Sequence, residues 1–129
     1  MGNLKFTGLF VGWIMLTTWL SLHPFSTKEE TPFWFPHIDK LAHFIFHLLI
    51  FILGVFSLKE IAPKRWGWKI VRNILLFVSL VYGLLIESLQ ELTPFGRSAD
   101  IFDVLANLLG AFLGSLLIQK YCLCVNVSK

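Results

Sequence analysis

Four apolar stretches, each close to the ~20 residues a helix needs to cross the hydrocarbon of a bilayer, take up most of this chain. They run over about residues 6–22, 38–58, 70–89 and 100–121. The whole chain is 129 residues, 56% hydrophobic and 15% charged, with a mean hydropathy of +0.72. A soluble domain of this size cannot hide so much apolar surface. The sequence therefore predicts an all-α, polytopic bundle of four transmembrane helices, with residues 1–129 forming one membrane domain. The first stretch follows Lys5 and could be a cleaved leader. Its apolar run is long for a leader and Ser21-Leu22-His23 is a poor cleavage site, so a retained helix is expected, with cleavage as the alternative. Pro24, Pro32, Pro36, Pro63, Pro94 and Gly96 fall in the connections, where they belong.

Charge sets the orientation. The connection between the second and third stretches, with the start of the third, carries Lys59, Lys64, Arg65, Lys69 and Arg72 against Glu60 alone. Positive loops stay on the cytoplasmic side. With four spans, both termini are then cytoplasmic. The inner side holds eight basic residues and one acidic, the outer side three basic and seven acidic. The balances, +7 and −4, return the net charge of +3. A basic excess placed this way marks membrane orientation and excludes a nucleic-acid surface. Trp66 and Trp68, and Phe33-Trp34-Phe35, fit interfacial aromatic belts on the two sides. Cys122 and Cys124 are too close in sequence for a mutual disulfide and read as reduced thiols past a helix end.

The polar residues that interrupt the apolar stretches gather on the outer side. Charge within lipid is costly, so it needs a partner or a task. Asp39, His43 and His47 are four apart and share a face of the second span. Asp39 is positioned to hold the His43 ring. His47, deeper, reads as an interhelical hydrogen-bonding group. Glu87 and Gln90 share a face near the end of the third span, with Lys40, Arg97 and His43 as candidate partners for Glu87. Gly83, four residues before Glu87, leaves room for a neighbouring side chain. Arg97, Asp100, Asp103 and Asn107 form the densest group. Asp100 and Asp103 are expected in the first turn of the fourth span, where anions complement the helix dipole. Asp103, Asn107, Gly110 and Gly114 form one stripe, and Gly110-x-x-x-Gly114 permits close approach of a neighbouring helix, here within the chain. Together these residues predict a polar pocket opening outward.

The motifs Asp39-Lys40-x-x-His43, Glu87-x-x-Gln90 and Arg97-x-x-Asp100-x-x-Asp103-x-x-x-Asn107-x-x-Gly110 resemble the VanZ-like family over about residues 38–114. That family comprises small bacterial membrane proteins, and its founding member is associated with resistance to the glycopeptide teicoplanin. The resemblance implies a multi-pass protein of the bacterial cytoplasmic membrane with a role at the cell envelope.

Three functions are consistent with these residues. The first is binding of a membrane lipid, a lipid-linked envelope precursor or a glycopeptide, with an effect on glycopeptide susceptibility. Its binding groups are Asp39, Lys40, His43, Glu87, Gln90, Arg97, Asp100, Asp103 and Asn107. Lys40 and Arg97 suit phosphate, the carboxylates and amides suit sugar, amide or ammonium groups. The second is an intramembrane hydrolase of an envelope lipid, with His43 or Glu87 as general base and a metal drawn from Asp100, Asp103 and His43. No nucleophile or metalloprotease motif supports it. The third is a small proton-coupled transporter with Glu87 carrying the proton, disfavoured because the polar groups crowd one side rather than the midplane.

Overall fold

A computed structural model describes residues 4–23, 37–93 and 98–127, with side chains as far as Tyr121. The described residues form four α-helices: α1 (Lys5–Leu22), α2 (Ile38–Ile61), α3 (Trp68–Leu92) and α4 (Ile101–Val127). Each contains a segment long and apolar enough to cross a membrane, in α4 Ile101–Tyr121. The helices contain the predicted spans almost entirely. The differences are at the ends. Asp100 lies just ahead of α4 rather than in its first turn, and α4 continues through Cys122 and Cys124 instead of stopping before them.

Proline sets two of the helix ends. Ala62 and Thr93 are both extended, with ψ of 154° and 143°. Each precedes a proline, Pro63 and Pro94, whose ring disfavours the helical conformation of the residue before it. Contacts at the helix ends define an up-and-down topology. The end of α2 meets the start of α1 through Glu60 and Thr7. The end of α3 meets the end of α1 through Gln90 and the Ser21 carbonyl. The starts of α2 and α4 meet through Lys40 and Asp103. α2 and α3 each touch all the other helices, and among the described residues α1 and α4 do not meet.

The burial pattern is that of a protein whose solvent is lipid. The buried residues of α1 are Thr17 and Ser21, whereas Leu9, Met15 and Trp19 are more than half exposed. Hydroxyls turn inward because hydrocarbon offers them no hydrogen bonds. The bundle interior has two unlike halves. Phe51, Val55, Leu75, Ala111 and Ile118 form an apolar core toward the basic end. The other half, where α2 starts, α3 ends and α4 starts, buries His43, Glu87, Gln90, Asp103 and Asn107.

Glycines draw α4 onto α2. A Cβ at Gly110 would run into the Phe44 carbonyl of α2, and one at Gly114 would lie 3.1 Å from the Leu48 carbonyl and from Phe51 Cβ. The Gly110–Gly114 pair is thus an intramolecular seam between α4 and α2, as its spacing predicts. Gly110→Ala should lower unfolding stability in detergent by about 1–3 kcal/mol, the usual range for overpacking. Gly12→Ala is the control, because nothing lies within 4 Å of its Cβ position. Equal thermal midpoints for the two variants would contradict the seam.

Candidate functional site

The site is built from the first two turns of α2, the last two of α3 and the start of α4. At 1.5 Å rise per residue, His43 and Glu87 each lie about 7.5 Å in from their helix ends. They are therefore at one depth. Both are about 3% exposed, and Asp103 and Asn107 are as well buried.

Lys40 is the cation that joins α2 to α4. Its Nζ donates to Asp100 Oδ2 at 2.6 Å and to Asp103 Oδ1 at 3.0 Å. Asp100 also caps α4: its Oδ1 accepts the Phe102 N–H at 2.9 Å, the usual task of an N-cap aspartate. Its own N–H donates to Glu87 Oε2 at 3.0 Å, which fastens the end of α3 to the start of α4.

His43 sits at the centre. Its Nδ1 is 3.2 Å from Asn107 Oδ1. Because a carbonyl oxygen accepts, this pairing makes Nδ1 a donor. Nε2 then faces Glu87 Oε1 at 3.7 Å and Asp103 Oδ2 at 3.9 Å. Each carboxylate thus gives one oxygen to a donor, Asp100 N–H or Lys40, and turns the other toward the imidazole. Gly83 makes the room: a Cβ there would lie 2.7 Å from Asn107 Nδ2.

Asp39 does not hold the His43 ring. Its side chain is 45% exposed and approaches Lys40 at 4.0 Å. Four residues advance a helix by about 40° beyond one full turn, enough to carry Asp39 to the surface while His43 faces inward. The ring is held by Asn107 of α4 instead. Gln90 is buried, and its Nε2 donates to the Ser21 carbonyl at 2.8 Å, tying α3 to α1. Lys40 pairs with Asp100 and Asp103 rather than with Glu87. Arg97 and the segment 24–36 lie outside the described residues.

A second polar layer lies deeper. His47 Nδ1 meets Ser79 Oγ at 2.5 Å, the interhelical hydrogen bond expected of it. The His47 ring also lies 5.6 Å from that of Tyr82, whose hydroxyl meets Thr17 and Thr18 at 2.9 Å. Thr17, Thr18, Ser79 and Tyr82 did not stand out as candidates in the sequence. Thr17 and Ser21, four apart in an apolar helix, are the signal that finds this face. At the basic end, the Glu60 carboxylate accepts the Phe6 and Thr7 N–H groups and the Thr7 hydroxyl at 2.8–3.0 Å. It caps α1 from another helix, which explains the lone acid in a basic segment.

Two outcomes follow for stability. Lys40→Met leaves buried Asp103 without its cation and should cost about 2 kcal/mol. That is below the ~3–5 of a fully buried pair, because Lys40 is partly exposed. Adding Asp103→Asn should restore part of the loss in a double-mutant cycle of unfolding, and strict additivity would count against the pair. Asp100 lies outside the spans. Its hydrogen bond from Lys40, then that from the Phe102 N–H, holds its carboxyl below the ordinary value. A carboxylate lowered on folding stabilises above its unfolded value of ~4 and loses that contribution as pH falls through the folded value. The wild type should therefore lose more thermal stability below pH ~4 than Asp100→Asn. Parallel acid profiles would contradict this.

No curated protein and no solved structure matches this chain. A family model described as VanZ/LLP1 matches residues 5–124, nearly the whole chain. With four apolar helices and that match, this is a multi-pass membrane protein, and the chain belongs to the VanZ/LLP1 family.

Proposed function

We propose that this protein binds a lipid-linked component of the cell envelope from the outer leaflet, and that the polar cluster of α2, α3 and α4 meets the headgroup. The observation that carries this reading is the burial of His43, Glu87, Asp103 and Asn107 at one depth, within about two turns of the helix ends. Such groups are too costly in a membrane to be incidental. The positive-inside rule assigns this end to the outer side, since Lys59, Lys64, Arg65, Lys69 and Arg72 lie at the other.

Charge narrows the headgroup. Asp39, Glu87, Asp100 and Asp103 stand against Lys40 and Arg97, four negative against two positive, a balance of −2. Lys40 is committed to two carboxylates at 3.0 Å or less. The cluster therefore favours a headgroup offering ammonium or N–H donors over one offering phosphate alone. An apolar groove of 490 Å³ between α3 and α4, lined by Leu76, Leu80, Leu105 and Leu108 among others, suits the hydrocarbon chain. On α4 it begins two residues beyond Asp103. The intramembrane hydrolase draws its support from His43, whose Nε2 is turned to two carboxylates.

The test uses the purified full chain in nanodiscs and a fluorescent lipid-linked envelope precursor bearing an amino-containing peptide. The wild type should bind it, and Asp103→Asn and Arg97→Ala should weaken binding by at least ~10-fold, the scale of losing one charge-assisted hydrogen bond. Cells carrying these variants should show the same order in teicoplanin susceptibility. Correctly inserted variants that bind as the wild type does would remove the cluster from the account. Turnover of the precursor in the same assay would favour the hydrolase.

A further inference from the structure

We propose that His43, Glu87 and Asp103 form a binding site for one divalent transition-metal ion of the zinc or manganese kind. The ligand set has Glu87 where the sequence points to Asp100, since the Asp100 oxygens go to Lys40 and to the Phe102 N–H.

The first ground is spacing. Nε2 of His43, a Glu87 oxygen and an Asp103 oxygen all lie within 4.8 Å of one another, and all three residues are buried. The two distances to Nε2 are 3.7 and 3.9 Å. Nitrogen and oxygen ligands at about 2.0–2.2 Å from an ion, subtending roughly 110–120°, are about 3.3–3.8 Å apart. Both distances to Nε2 are within a few tenths of an ångström of that range, and closure of the two carboxylates by at most about 1 Å would complete the set.

The second ground is the imidazole. A metal-bound histidine uses one nitrogen for the ion and gives its other N–H to a fixed acceptor, which sets tautomer and ring orientation. Asn107 Oδ1 is that acceptor, on a residue 1% exposed. With Nδ1 given to Asn107, Nε2 is the ring nitrogen that faces the two carboxylate oxygens and can take an ion. A cation held between a ring nitrogen and two carboxylate oxygens in low dielectric is attracted strongly to the set.

The third ground is the choice of ion. One nitrogen and two carboxylate oxygens suit zinc or manganese better than calcium, which takes six or more oxygens. Three protein ligands also leave coordination positions for water or a headgroup atom. A dipositive ion would offset the charge of the two carboxylates that face it.

The experiment is metal binding by the purified, chelator-treated full chain in nanodiscs, without any lipid-linked ligand. Zinc and manganese are the probes, read by calorimetry and by elemental analysis after desalting. One equivalent per chain is expected. Glu87→Gln and Asp103→Asn should each weaken binding by at least ~10-fold, and Asn107→Ala by about 10–100-fold through the imidazole. Glu91→Gln, exposed at the same end of α3, should leave it unchanged. Because these variants remove buried groups, the wild type carries an independent readout: bound manganese should show electron–nuclear coupling to one imidazole nitrogen, absent in His43→Gln. No stoichiometric ion at millimolar metal, or binding that survives all three ligand substitutions, would overturn the site. Metal binding and precursor binding are measured separately, so either can fail alone.

Discussion

Close approach of α4 to α2 at Gly110 and Gly114 is the constraint on which the rest depends. Backbone meets backbone there, because a side chain at Gly110 would occupy the place of the Phe44 carbonyl. This contact sets Asn107 and Asp103 one and two turns along from Gly110, against the first turns of α2. Lys40 can then reach Asp103, and His43 can reach Asn107. Gly83 does the same for α3, giving Asn107 its space and bringing Glu87 over it. Two larger side chains in these places would hold the carboxylates apart from their cation, at a cost in hydrocarbon that the fold could not sustain.

The bundle divides its labour along its length. The half with Phe51, Val55, Leu75, Ala111 and Ile118 packs by dispersion and shape, as helices in lipid must. The other half is held by polar pairs that also carry whatever chemistry the protein performs. Between them, His47, Ser79, Tyr82, Thr17 and Thr18 make a layer of interhelical hydrogen bonds. Gln90, bonded to the Ser21 carbonyl, ties α1 into the polar half although α1 brings no charge to it. A ligand or ion at His43, Glu87 and Asp103 would therefore touch three helices at once, each fixed by its own polar anchor.

Much of this was legible in the sequence, for identifiable reasons. Hydropathy finds the four helices because bilayer thickness sets their length, and proline finds two of their ends. The joint placement of His43, Glu87, Asp103 and Asn107 follows from helical spacing together with alternating topology. Pairings are harder, since spacing within a helix does not say which neighbour a side chain faces. Asp39 shares a face with His43 on paper, yet the ring is held by Asn107, 64 residues away. Lys40 was one of several cations available to Glu87, and the positions of Asp100 and Asp103 across the seam take it instead. The polar face of α1 and the cap that Glu60 gives to Thr7 are missed by hydropathy, because a few hydroxyls hardly change a mean. Arg97, which the motif places beside Asp100, lies outside the described residues.

The central claim is that polar groups of α2, α3 and α4 meet at one point inside the membrane. Solid-state NMR of the full chain in lipid bilayers tests it most directly, with 15N in the lysine Nζ and histidine ring positions and 13C in the aspartate and glutamate carboxyls. The account predicts strong dipolar dephasing of the Asp100 and Asp103 carboxyls by Lys40 Nζ, and weaker dephasing of the Glu87 carboxyl by His43 Nε2, at separations near 3–4 Å. Carboxyl signals of Asp103 and Glu87 that show no dephasing from either nitrogen would contradict it.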